Sequence, residues 1–188
     1  MTSMFAHLQL ALPAWIDEEV DADRPYADEE AQVALAIRLA RRNIVERTGG
    51  PFGAAVFDGD GRLVAAGVNL VLPQHCSSAH AEVVAFSAAQ ARVGRARLNE
   101  DGRRYTLATS AQPCSMCYGA CIWAGIDALV IGARSSDVME LSEFDEGPLP
   151  ADWIGELEKR GITVRRDIHR AVAREVFELY AHSGGEKY

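Results

Sequence analysis

Basic charge is scarce in this chain. Nineteen Lys and Arg stand against 27 Asp and Glu, which leaves 188 residues with a net charge of −8. A protein that holds a polyanion neutralises its phosphates with clustered basic side chains. The clusters here are three doublets, Arg41-Arg42, Arg103-Arg104 and Arg165-Arg166, each read as a solvated face. That balance argues against a nucleic-acid partner. No apolar run is long enough to span a bilayer, and Met1–His7 lacks the basic region of a signal peptide. The expectation is a cytoplasmic location and no membrane partner. Four cysteines, two of them in one motif, fit a reducing compartment better than a disulfide framework, so no disulfides are expected. Internal repeats and low-complexity tracts are missing as well.

What remains is a chain with 48% hydrophobic residues, enough to bury a core in one domain plus terminal extensions. Residues 1–27 read as an acidic arm built around Asp17-Glu18-Glu19-Val20-Asp21-Ala22-Asp23, and residues 28–188 as the domain. Trp15 and Phe5 imply that part of the arm packs on a neighbour. From Asp28, an N-cap candidate, the apolar spacing predicts a helix ending near Thr48-Gly49-Gly50. Phe52 to Asp58 and Leu63 to Asn69 read as a hairpin turning at Gly59-Asp60-Gly61. A helix from about Ala79 to Val93 follows, capped by Ser77 or Ser78, with His80 and Glu82 in its first turn. Then come a strand at Tyr105–Thr109, a cysteine-bearing helix from Pro113 to Gly125 and a buried strand at Ala128–Gly132. Residues 135–150 read as a loop, 151–160 as a helix, Ile162–Arg166 as a strand and 168–182 as an amphipathic helix. This alternation predicts an α/β fold, a three-layer α/β/α sandwich with a mixed five-stranded sheet.

The chemistry concentrates in Gln112-Pro113-Cys114-Ser115-Met116-Cys117. Proline suits a helix start, and two cysteines three residues apart share a helix face. The helix dipole favours their thiolates, the form that binds Zn²⁺. Two thiolates are half a site. His80 offers a third ligand, and three protein ligands leave the fourth tetrahedral position to water, as a catalytic zinc requires. Zinc brings that water's pKa to about 7. Glu82, two residues beyond His80, points elsewhere on the helix and is placed to act as general acid/base. A CxxC alone is weak evidence, compatible with a redox pair or half a zinc finger; His-x-Glu joined to Pro-Cys-x-x-Cys is strong, being the signature of zinc nucleobase deaminases.

With that motif, the hairpin before it and Phe144-Asp145-Glu146-Gly147-Pro148 after it, the chain resembles the cytidine deaminase-like superfamily. Within the superfamily it is most similar to bacterial guanine deaminases. The likeness covers roughly Gly50 to Tyr180 and rests also on Gly50-Pro51-Phe52-Gly53-Ala54-Ala55-Val56, Asn69, Ser78-Ala79-His80-Ala81-Glu82 and Gly119-Ala120-Cys121-Ile122-Trp123. It implies a zinc-dependent hydrolytic deamination of a free aminopurine, guanine to xanthine and ammonia. In that reading His80, Cys114 and Cys117 hold zinc, Glu82 shuttles protons, and Glu146, favoured over Glu143, serves the departing amine. Asn69 would hydrogen-bond the base, Phe52 would stack on it, and Ala81 belongs to the same substrate-binding set. A homodimer, with its C-terminal segment exchanged between subunits, is implied too. The alternatives are another small base or nucleoside, an amino-triazine such as ammeline, and an adenosine of transfer RNA. The residue before Pro113 is commonly glutamate in the family and here is Gln112, which keeps the hydrogen bonds without the charge.

Plainer roles compete for several of these residues. A phenylalanine in a strand is ordinarily core, and asparagine at a strand end is common for turn chemistry. Trp123 and Trp153 default to core packing, and Cys121 to a small buried apolar residue. Cys76 and His75 default to loop packing, and His7, His169 and His182 to the surface or structural hydrogen bonds.

Overall fold

The computed structural model describes residues 9–186. Its strands are β1 (Gly53–Asp58), β2 (Leu63–Val68), β3 (Tyr105–Ala111), β4 (Ala128–Ala133) and β5 (Thr163–Arg165), in the sheet order β2-β1-β3-β4-β5. β1 runs antiparallel to β2 and β3, whereas β3, β4 and β5 run parallel. The sheet is therefore mixed and five-stranded, as the alternation of elements predicts.

Period-two side chains divide the core in two. Ala55, Phe57, Ala108 and Val130 face the layer made by α2 (Glu29–Val45) and α7 (Arg170–His182), where Leu35, Leu39 and Phe177 are buried. Ala54, Val56, Leu107, Leu129 and Ile131 face α3 (Ala81–Val93) and α4 (Ser115–Ala124). The sandwich has three layers. α2 lies so close to β1 that a Cβ on Gly53 would meet Ala36 O at 2.3 Å, so only glycine fits there.

The arm belongs to this body. A short α1 (Ile16–Glu19) buries Trp15 and Ile16, and the Trp15 indole N–H donates to Thr48 Oγ1 at 3.0 Å. The Arg42 guanidinium lies over the Trp15 ring and pairs with Glu18 and Glu19. The neighbour that Trp15 seeks is thus α2 of the same chain; Phe5 lies outside the described residues.

Two departures from the sequence reading concern α5, after β4, and Trp123, before it. Residues read as loop include a helix, α5 (Ser135–Ser142), which α6 (Trp153–Glu158) follows after a shorter connection. The α5 helix is legible only in three dimensions, because Asp137 both caps it through the Arg134 N–H and receives Arg170 and Arg174 from α7. Trp123, assigned by default to the core, is 78% exposed on α4. Helix periodicity turns it away from Cys117 and Cys121, which take the buried face.

Candidate active site and metal centre

Four strand ends meet at one edge of the sheet. Phe52 precedes β1, Asn69 follows β2, Gln112 follows β3, and the parallel β4 leads to α5 and the loop bearing Glu146. Parallel strands deliver their carboxyl ends together, and a crevice forms outside them. Onto that edge α3 and α4 point their N-termini.

The ligands sit one step earlier than the sequence reading places them. His80 and Cys114 are the N-cap residues of α3 and α4, with extended backbone, and neither Ser77 nor Ser78 caps α3. An N-cap side chain ordinarily folds back onto the helix N–H groups. Imidazole and thiol do not do so here, and both project from the helix ends instead. Cys117, in the first turn of α4, completes a group whose ligand atoms lie within 4.8 Å of one another. His80 Nδ1 and Cys114 Sγ are 3.5 Å apart.

The donor set passes an electrostatic test for a metal. A hydrogen bond from the Cys117 thiol, opposed by burial and aided by His80, lowers the Cys114 pKa to about 4, so a thiolate is present at neutral pH. Cys117 is pushed upward by that same partnership, holding the proton that the pair shares. A soft dication displacing that proton would satisfy both sulfurs, and two thiolates with one imidazole suit Zn²⁺. Burial lowers the His80 pKa, but the Cys114 hydrogen bond and neighbouring carboxylates outweigh it and leave it raised. These residues fit zinc.

Two carboxyls share the cleft. Glu82, in the first turn of α3, is raised to about 7 by burial and by the Cys114 charge. Glu146 is raised to about 8, again by burial first and then by Cys114 and Glu82. Both are held near neutrality, where a carboxyl can donate or accept a proton at little driving-force cost. Glu146 is 8% exposed, and its carbonyl accepts from the Ser115 N–H at 2.9 Å, which pins the loop over the start of α4. Gly147, at φ 66°, comes so close that a Cβ would strike Ser115 Oγ at 2.5 Å. Glu143 instead ends α5 on the exposed surface.

Phe52, His80, Glu82, Gln112, Phe144 and Glu146 contribute to the wall of a pocket of about 250 Å³. Phe52 meets Phe144 and Phe177 edge-to-face at 5.4 and 5.5 Å, so it is both packed and partly open to the cavity. Asn69 is buried, with Oδ1 accepting from the Val71 N–H, while its Nδ2 has no partner. Asn43 holds that strand end by donating to both Gly50 O and Asn69 O at 2.9 Å. The side chain of Ala81 packs among Ala54, Val56 and Ala85, so only its backbone N–H, free at the helix start, can serve a substrate. Cys121 is buried beneath, and Cys76 contacts Ser78 at 3.3 Å in the loop, leaving Ser77 at the pocket rim. The sequence reading missed Phe144 and Ser115 as wall residues, although both flank motif positions.

Residues 27–133 match the family model of the cytidine and deoxycytidylate deaminase zinc-binding region. The guanine deaminase of Bacillus subtilis (strain 168) is 36% identical over 117 residues, covering 62% of this chain and 71% of that protein. A tRNA(Ile)-lysidine synthase of Deinococcus radiodurans is 35% identical over 114 residues, of which the match covers only 18% of the enzyme's length. Over nearly the whole chain, the structure resembles that of a guanine deaminase from Nitrosomonas europaea. That resemblance has a TM-score of 0.88 with 44% identity, covering 94% of this chain and 97% of the other. Structures of NE0047 with 2,6-diaminopurine and, in substituted form, with 8-azaguanine superpose with TM-scores of 0.89 and 0.88 at 44% identity. A zinc-type ligand set at two helix starts, two near-neutral carboxyls and a family match over more than half of its length lead to one assignment: this chain belongs to the cytidine and deoxycytidylate deaminase zinc-binding family.

Proposed function

We propose that this protein hydrolyses a free aminopurine base, guanine foremost, to its oxo form and ammonia. The observation that carries the reading is the pocket: two raised carboxyls beside a zinc-type ligand set in about 250 Å³, with the buried, unpartnered Asn69 amide at the end of β2. That volume lies below the roughly 300–1,000 Å³ of drug-sized ligand sites, room for a heterocycle rather than a nucleotide. The similar proteins named above include guanine deaminases and structures holding purine analogues.

His80, Cys114 and Cys117 would hold zinc, which when bound supplies a Lewis acid that makes water nucleophilic at neutral pH. The chain's own groups do the rest. Glu82 takes the proton of the attacking water and passes it to the ring nitrogen beside C2. Glu146 gives a proton to the exocyclic amine as the C2–N bond breaks and ammonia leaves, and it recovers one from the C2 hydroxyl as that group becomes the oxo group. Asn69 Nδ2 finds its missing partner in an acceptor of the base, the Ala81 N–H offers a second donor, and Phe52 lies against the ring. A cytoplasmic location belongs to this reading, and no helix of the described residues is long and apolar enough to cross a membrane.

The arginine doublets support a small substrate over transfer RNA. Arg41, Arg42, Arg103 and Arg165 each pair with a carboxylate, and Arg166 lies over Trp153. A homodimer, with or without exchange of its C-terminal segment, completes the proposal. Met116, Gly119 and Trp123 form one apolar, solvent-facing stripe of α4, and Met116 also borders the pocket.

The test is ammonia release by zinc-loaded protein from guanine, guanosine, ammeline, adenine, cytosine, cytidine and a transfer-RNA anticodon stem. Rapid release from guanine is expected. Silence on guanine with turnover of another member would keep the zinc chemistry and remove the substrate assignment.

A further inference from the structure

Gln112 follows β3 with its side chain in the pocket wall, and it is only 8% exposed. Its backbone N–H donates to Ala133 O at 2.9 Å, which fixes where the side chain starts. Its side-chain oxygen accepts from the backbone N–H of Ser135, the first residue of α5, at 3.5 Å. A backbone N–H can be met only by the amide oxygen, so this contact decides which way the amide faces. The NH₂ group is turned from α5, and no described residue accepts a hydrogen bond from it.

A carboxylate would suit this position better if α5 alone mattered, because helix N-termini favour negative charge. An amide gives up that advantage and supplies the pocket with two uncharged donors. The pocket wall also carries His80, Glu82, Cys114, Asp145 and Glu146, whose carboxylates and thiolate accept hydrogen bonds. Those acceptors suit the donor-rich amidine edge of an aminopurine. An oxo group needs a donor that keeps its hydrogens whatever the pH, and the Gln112 amide is one.

We propose that Gln112 is a substrate-binding, specificity-determining residue, its side-chain NH₂ donating to the oxo group of the base. This deepens the guanine reading and rests on it. Guanine presents an oxo group at C6, whereas 2,6-diaminopurine presents an amine there and meets a donor with a donor. A buried donor left unpaired is costly, so discrimination between the two bases by about fivefold or more follows.

The test compares kcat and KM for guanine and 2,6-diaminopurine in the zinc-loaded wild type, Gln112→Glu and Gln112→Ala. Glutamate preserves size and the Ser135 contact but faces the pocket with an acceptor. Its KM for guanine should rise about tenfold or more with kcat changed less, while 2,6-diaminopurine gains, so that the preference narrows or inverts. Alanine should weaken guanine without favouring the diamine. Calorimetric affinity for 8-azaguanine, which keeps the oxo group, should fall in both variants. An unchanged guanine-to-diaminopurine ratio, or equal 8-azaguanine affinity in wild type and Gln112→Glu, overturns the assignment. Failure of the functional reading looks different: the wild type is then silent on guanine, while the 8-azaguanine titration still decides whether Gln112 holds an oxo-bearing ring.

Discussion

Glu82 and Glu146 are carboxyls kept where water cannot solvate their charge, and their raised pKa values follow from that burial. In the proposed mechanism Glu82, in the first turn of α3 and two residues beyond His80, is the primary proton carrier. Glu82→Gln should retain zinc and fold yet lose turnover by at least about 10²–10⁴-fold, since acid/base groups contribute that much. Wild-type kcat in that variant, with zinc confirmed by metal analysis, would remove Glu82 from the chemistry. Cys114→Ala should lose both metal and activity, because one imidazole and one thiolate are too few donors for a stable zinc site; stoichiometric zinc in the purified variant contradicts this. These residues were legible as a linear pattern because ligand type and spacing are local properties. Asn69 was weaker in sequence, where turn chemistry explains it equally well; its orphaned Nδ2 becomes visible only once burial is known.

Among the elements, helix starts carry the site. α3 and α4 leave their cap positions to ligands instead of to cap hydrogen bonds, and α5 receives Gln112. The element that steadies the Glu146 loop from the other side is α7, whose Phe177 and Tyr180 pack on Phe52 and Phe144. Asp137 joins α5 to α7. Its side chain is 1% exposed and takes Arg170 at 2.7 Å, along with Arg174 and the Arg134 N–H. The Arg170 hydrogen bond, working against burial and helped by the other two donors, holds its carboxyl well below the ordinary range. A depressed folded pKa contributes stability that is whole above the unfolded value near 3.8 and is lost as pH falls through the folded value. Asp137→Asn should therefore cost about 2 kcal/mol at neutral pH, read from urea denaturation, and flatten the loss of stability below pH 4. A variant as stable as wild type at pH 7 would show the α5–α7 tie to be energetically idle. None of this was readable in sequence, since an acidic residue and two arginines some 30 positions away are ordinary surface composition.

At the scale of the whole molecule, the N-terminal arm is tied to the end of β2 through a chain of hydrogen bonds. Trp15 donates to Thr48, Thr48 to Asn43, and Asn43 to the backbone of Asn69. The opposite flank presents Trp123 to solvent. A dimer formed on that face should sediment at about twice 20.4 kDa, and Trp123→Glu should shift the equilibrium to monomer by placing charge in the contact. A wild-type protein that sediments as a monomer at micromolar concentration would refute the dimer. The arginine doublets, by contrast, are paired locally with carboxylates such as Glu175 and Glu29, and the remaining net charge of −8 disfavours a polyanionic partner.

The sequence by itself pointed to His80, Cys114 and Cys117 as a candidate ligand set, to the order of the strands and of the helices other than α1 and α5, and to the mixed sheet, because donor chemistry and apolar period are written residue by residue. Tertiary structure alone decided which side chains face one another. It turned α5 from an apparent loop into a helix held by α7, sent Trp123 outward, and drew the arm onto α2. It also buried Glu146 in the pocket wall while leaving Glu143 exposed, and it set Gln112 in the same wall. The reason is physical: burial and hydrogen-bond partnership are properties of pairs distant in the chain, and they come into existence only when the sheet brings its strand ends to one edge.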